Sequence, residues 1–320
     1  MKHLDYRRFL EILERHLSTP EEVAARQAGA PVAVDSGYTD IMRFFGPGAE
    51  PPGNVKLQYK PGRFRFADAR IAAFAEYAAE RLREAGRLRD GPQTLCVVEP
   101  ALTSSPPGLT AQACRYEDLA GSCFSLDFPH PSFQPWGGTL REYCLREYGF
   151  GPLSGNPLPQ GLGVCAMLLV SEGRRLWTLS PRRSARLASL EGSQGPSVAG
   201  SVDYATWESL QDLFDDSLAS ETVEELNLDR ADFEAVPLAY ARELFRGGKP
   251  QLFGLLKTAR TRAEIETAAS RIDPGQRESD GLTWIEVSEQ GVMPPRDLGR
   301  LNHEARMNWS LVAEYFDAIG

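Results

Sequence analysis

The run Leu218 to Leu228, Leu-Ala-Ser-Glu-Thr-Val-Glu-Glu-Leu-Asn-Leu, constrains the chain more than any other stretch. Its spacing predicts a helix, with Leu218, Thr222, Leu226 and the offset Val223 able to face a core. Glu221, Glu224 and Glu225 then stand at i, i+3 and i+4, so their side chains share one side of that helix. Like charges so placed repel by roughly a few tenths of a kcal/mol per pair. A solvated acidic face is the ordinary explanation of such a pattern. The alternative is a divalent cation with a preference for oxygen ligands, which turns the repulsion into a site.

The rest of the chain sets limits on both readings. At 320 residues it has room for two domains or one large one. Hydrophobic residues make up 42% and charged residues 25%, the balance of a folded globular protein. A net charge of −9 argues against a general nucleic-acid binder, which needs concentrated positive charge. It leaves room for a small anionic ligand held by a metal and a few arginines. No apolar run approaches the roughly 20 residues that span a bilayer, and the charged, periodic stretch Met1 to Leu17 does not read as a signal peptide. The five cysteines are scattered and never form Cys-x-x-Cys, so reduced, buried thiols in a cytoplasmic protein are expected. The four histidines make no zinc pattern.

Along the chain, periodicity predicts an amphipathic helix over Leu4 to Leu17 and a second, short one opening at Thr19-Pro20. Pro31 to Val34 and Asn54 to Tyr59 are strand candidates in a Pro/Gly-rich stretch. Phe66 to Leu88 is a strong helix, Thr94 to Glu99 a strand, Thr110 to Leu119 a weaker helix and Thr139 to Tyr148 a short one. Between them, Ser122 to Gly138 holds Phe124, Phe128, Phe133 and Trp136, and reads as an irregular core wrap rather than a binding loop. Gly149 to Gly163 is the best domain boundary.

Beyond it, Leu162 to Ser171 and Arg175 to Leu179 form a hairpin about Glu172-Gly173. A short strand at Leu187 to Leu190 and a Gly/Ser/Pro loop follow. Asp203 to Asn227 then reads as helical, in one or two pieces. Strands are expected at Phe233 to Phe245, Gln251 to Thr258 and Leu282 to Ser288. A helix with a Thr261/Glu264 capping box covers Thr261 to Arg271, and a last helix covers Asp297 to Ile319. The expected class is α/β (α+β): a mixed sheet between helices over residues 158–320, with an additional α/β unit over residues 1–157.

Ser-Glu-Thr-Val-Glu-Glu-Leu-Asn-Leu resembles the second half of the Nudix box, Arg-Glu-apolar-x-Glu-Glu-x-Gly-apolar. Ser220 stands where the family has Arg, and Asn227 where it has Gly. Asn is the next best residue for a left-handed helix end. Ala199-Gly200-Ser201-Val202-Asp203 is the counterpart of the family's Gly-Gly-x-x-Glu, and Tyr204 to Ala219 makes a longer interval than the family's. The hairpin ending Ser180-Pro181-Arg182-Arg183 and the strand pair turning at Arg246-Gly247-Gly248-Lys249-Pro250 also look like Nudix features.

The resemblance implies hydrolysis of a diphosphate linkage in a nucleoside-diphosphate type of small molecule. It implies Mg2+ or Mn2+ held by Glu221, Glu224, Glu225 and the Gly200 carbonyl. The same glutamates, or a loop residue such as Glu289, are the candidate catalytic groups. Arg182 and Arg183 are candidates to face the phosphates, against the plain alternative of a solvated hairpin end. Loss of the Arg at position 220 leaves Glu221 without a partner, which should raise its pKa in the absence of metal and weaken metal binding. Arg246 and Lys249 read as hairpin-turn charges, Asp212 as solvated surface, Tyr204 and Trp207 as core, and His303 as a surface or packed histidine. The degenerate box keeps a second function class open: a non-catalytic Nudix-fold module that binds a nucleotide-like ligand or a protein. The expected partner is a small-molecule diphosphate substrate, and the chain is compatible with a homo-oligomer.

Overall fold

The computed structural model describes residues 38–88, 91–101, 105–149, 155–184, 187, 190, 192–273, 275, 277–287 and 301–319. The expected helices at Leu4 to Leu17 and from Thr19, the strand piece Pro31 to Val34, Glu289 and the start of the last helix fall outside them. So do the middle residues of the strand expected at Leu187 to Leu190.

The principal sheet is built on β5 (Gly163–Glu172), whose buried run Val164 to Val170 is apolar on both faces. Such a strand has to lie in the middle of a sheet covered on both sides. It does: β5 pairs in parallel with β9 (Lys249–Thr258), which pairs antiparallel with β8 (Phe233–Glu243), and β8 with β1 (Tyr38–Arg43). On its other side β5 forks. Gly163 to Ala166 pair with β7 (Val198–Ser201), whereas Leu169 to Glu172 pair with β6 (Arg175–Arg183), which carries β10 (Ser279–Val287) at the edge. Ser197 bridges the fork, accepting from the Leu168 amide at 2.8 Å and donating to the Leu179 carbonyl at 2.5 Å.

Alternation along β5 separates the two covering layers. Val164, Ala166, Leu168 and Val170 pack against α4 (Leu210–Leu226) and α5 (Arg262–Ser270) through Leu213, Phe214, Leu218 and Ile265. Cys165, Met167 and Leu169 pack against α6 (His303–Ile319) through Trp309, Leu311 and Val312. Each fully buried Leu or Val contributes about 1.5–3 kcal/mol, so this two-sided burial fixes the sheet. The architecture is the mixed sheet between helices that the sequence implies. Gly254 lets α4 approach closely, because a Cβ there would overlap the Phe214 ring.

The preceding part of the chain forms a three-stranded sheet in the order β2 (Lys56–Arg63), β4 (Gly108–Arg115), β3 (Gln93–Ala101). Three helices, α1 (Ala69–Glu84), α2 (Tyr116–Ser122) and α3 (Leu140–Glu147), share a core with the wrap that holds Phe133. Val55, Leu95, Val97 and Leu109 join the same apolar cluster as Val164 and Phe214. Isolated bridges Thr94↔Asp203 and Cys96↔Gly161 tie β3 to the segments flanking β5 and β7.

Four local expectations are corrected. Thr110 to Cys114 belong to a strand, not a helix, because β4 is hydrogen-bonded on both sides and tertiary pairing overrides a weak helical pattern. The acidic helix is one piece and begins only at Leu210, where Ser209 caps it by accepting from the Asp212 amide. Val223 is exposed rather than packed. The strand Tyr38–Arg43, in a Pro/Gly-rich stretch where the sequence predicts strands only at Pro31 to Val34 and Asn54 to Tyr59, is held by its pairing with β8. Asn227 ends α4 with φ 53° and ψ 43°, the left-handed conformation expected of it. All five cysteines are free and buried. Among the described residues no helix is long and apolar enough to cross a membrane.

Candidate functional site

The fork in β5 leaves space between the end of β6 and β7, and the C-terminal half of α4 overhangs it. Two adjoining cavities of about 310 and 270 Å³ open there. They share Arg183, Ala199, Glu224, Arg277 and Glu278. Glu221 lines the larger cavity and Glu225 the smaller, so the three glutamates expected from the helix all face one cleft.

Their environments differ. Glu221 lies against the backbone of Gly200, where any Cβ would overlap its carboxylate. Burial, then the charges of Glu224, Glu278 and Asp203, push its pKa up to about 8 despite Arg183. The rise expected for Glu221 is found, but burial contributes more than crowding. Glu225 accepts a hydrogen bond from the Ala199 amide at 3.1 Å, yet burial and the charge of Glu221 hold its pKa well above the carboxylate range. Glu224 is exposed and accepts from the Ser220 hydroxyl at 3.1 Å. Ser220 thus engages Glu224 rather than its neighbour Glu221. Asp203 also has a raised pKa, from burial and then Glu224.

Among the described residues no group of three or more His, Cys, Asp and Glu side chains is arranged to hold a metal ion. The donor set nevertheless suits a hard dication in its chemistry. Glu221 and Glu225 are carboxyls whose pKa burial raises first and neighbouring negative charge second, beside a backbone carbonyl at Gly200. Gly200→Ala tests this seat. Its backbone φ is unstrained for alanine, so the methyl group should displace the Glu221 side chain rather than unfold the strand. We expect manganese affinity, measured by titration calorimetry, to fall at least tenfold while the circular dichroism spectrum is kept.

The two arginines at the end of β6 separate. Arg183 is half-buried and lines both cavities, and among the described residues its Nε has no hydrogen-bond partner. Arg182 is exposed and lines neither, since neighbouring strand residues point to opposite faces.

Two residues read from the sequence as turn charges are buried instead. Arg246 and Lys249 line the larger cavity at 6% and 2% exposure. Arg246 is clasped by Glu243 and Glu304, and His303 pairs with Glu243. Burial alone would raise the pKa of Glu243, but Arg246 and His303 bring it below the usual range. Lys249 donates to Gln251 Oε1 at 2.8 Å, and burial and then Arg246 lower its pKa to about 8. The signal available in the sequence was Gly-Gly before Lys249: Gly247 at φ 74° and Gly248 at φ 90° fold the connection inward. His303 is a packed histidine, as expected. Asp212 takes part in the Ser209 cap, and Tyr204 and Trp207 pack on the core. Of the aromatic wrap, Phe124 reaches the cavity wall.

Fold and site together define an α/β/α protein whose acidic helix overhangs a cleft of mixed charge. No protein-family profile and no curated protein matches the chain. Solved structures similar to it include DR0079 from Deinococcus radiodurans, 24% identical over 39% of this chain and 66% of that one, with a TM-score of 0.28. A mutT/nudix family protein from Listeria innocua is 17% identical over 50% of this chain and 94% of that one, with a TM-score of 0.33. The NUDIX domain of Shewanella oneidensis NrtR, complexed with ADP ribose, is 18% identical over 54% of this chain and 97% of that one, again with a TM-score of 0.33.

Proposed function

We propose that the cleft is the active site of a divalent-metal-dependent hydrolase acting on a diphosphate linkage in a nucleoside-diphosphate type of molecule. The observation that carries this reading is the convergence of Glu221, Glu224 and Glu225 on one cleft with Arg183 and Arg277 beside them. Carboxyls held neutral by burial and by one another are placed where a cation would restore their charge. Glu221, Glu225 and the Gly200 carbonyl would hold Mg2+ or Mn2+, with Glu224 at the cleft mouth. The ion would supply charge neutralisation at the phosphates and acidification of a bound water. Arg183, which lines both cavities, orients a phosphoryl oxygen, and Arg277 adds positive charge at the shared wall. A glutamate left uncoordinated takes the proton from the attacking water. Residues 1–157 act as an accessory unit, walling the larger cavity with Thr94, Tyr116 and Phe124.

The test is release of phosphate or nucleoside monophosphate from a panel of nucleoside diphosphate sugars and dinucleotides, ADP-ribose included, with manganese present. Turnover of at least one member, lost in EDTA, is expected; no turnover of any would overturn the hydrolase reading. A second reading, a ligand-binding module without turnover, is favoured by one observation: no ready-made metal cage exists among the described residues. Melting-temperature shifts by panel members without product would select it.

A further inference from the structure

The larger cavity carries a second pole that the hydrolase reading does not use. Gly163 pairs with Ser201 and Val164 with Gly200, and directly opposed residues share a face while successive ones alternate. The space left by Gly200 therefore opens toward α4 and holds the Glu221 carboxylate. The space left by Gly163 opens to the other face and holds Lys249 Nζ and Gln251 Oε1. The Glu221 carboxylate and the Lys249 ammonium thus sit on opposite sides of the β5–β7 pair, Lys249 beside Arg246 and Glu304, and one continuous cavity of about 310 Å³ reaches both.

Lys249 is costly to keep there. A buried ammonium needs partners, and among the described residues this one donates a single hydrogen bond, to the neutral Gln251. The nearby carboxylates Glu243 and Glu304 are already engaged by Arg246. Two donor positions of Lys249 remain for a ligand, in a cavity to which Arg183 and Arg277 also contribute positive charge without a carboxylate ion pair among the described residues.

We propose that Lys249 is a specificity-determining residue that binds a terminal phosphate group of the ligand, separate from the linkage held at the acidic pole. The site then selects phosphate-bearing ligands long enough to pass the β5–β7 pair, and a diphosphate lacking a second anionic group binds weakly. This rests on the cleft being a ligand site but not on hydrolysis or on metal.

The test uses inorganic phosphate as probe, in EDTA, with the full chain. Titration calorimetry at constant pH should show phosphate binding that weakens at least tenfold in Lys249→Met and is unchanged in Lys257→Met, whose lysine lines neither cavity. A wild-type crystal soaked in phosphate should show the ion within hydrogen-bond distance of Lys249 Nζ. Equal affinity in folded Lys249→Met overturns the proposal, as does phosphate bound only at Arg183 and Arg277. The soak decides the question even where Lys249→Met does not fold. Because no dication is present, phosphate binding without manganese-dependent turnover would reject the hydrolase and keep this site. Turnover with phosphate binding indifferent to Lys249 would do the reverse.

Discussion

Replacing Glu225 by Gln is expected to lower manganese-dependent turnover by roughly 10²–10⁴-fold while leaving the metal-free protein as stable as before, or more so. The two halves of that expectation have one cause. Without a cation Glu225 is held neutral by burial and by Glu221, so an amide of the same shape replaces it at little cost, and its oxygen still accepts from the Ala199 amide. With a cation the carboxylate must ionise to serve as ligand or base, and the amide has no charge to give. Initial rates with manganese and thermal melts in EDTA check both halves. A rate within twofold of wild type would remove Glu225 from the chemistry. A large fall in the metal-free melting temperature would mean that its charge, not its neutrality, supports the fold.

The second large effect is on stability against pH. Glu221 keeps its proton up to about pH 8 in the folded chain, whereas the unfolded chain releases it near 4.5. Over that window the folded state binds more protons, so raising the pH must destabilise it. Glu225 acts in the same direction. Lys249 acts in the opposite sense above the window: it loses its proton near 8 when folded and near 10.5 when unfolded, so stability recovers as pH rises between those values. The buried thiols of Cys96, Cys123, Cys144 and Cys165, whose pKa values burial raises, oppose that recovery, so the mark expected in EDTA is the fall in melting temperature between pH 5 and 8. Saturating manganese should raise the melting temperature by several degrees more at pH 8 than at pH 5.5, because the ion favours the ionised carboxyls. A melting temperature in EDTA that does not fall between pH 5 and 8 would refute the assignment, and Glu221→Gln should flatten that limb.

The legible parts of this protein are those where local pattern and burial agree. The hairpin of β5 and β6, the Thr261 capping box of α5 and the left-handed Asn227 that ends α4 all follow from spacing and turn chemistry within a few residues. Glu221, Glu224 and Glu225 were visible for the same reason, since one helix places them on one side whatever surrounds it. The strand β4 was not visible: Thr-Ala-Gln-Ala-Cys has no strong period, and of its two hydrogen-bonded neighbours β2 lies on the far side of α1 and β3 in sequence. Tyr38–Arg43 is a strand only because β8 presents an edge to it.

The sequence by itself determined that an acidic helix follows a hairpin, and that its three glutamates share a side. Only the tertiary structure decided that this side faces a cleft, because the fork in β5 that makes the cleft depends on which strand pairs with which half of it. It also decided that Arg183 enters while Arg182 does not, and that Lys249 is buried opposite the glutamates. Charge along a chain is a local property, whereas the solvent around that charge is set by everything that packs against it, and burial gives these side chains their chemistry.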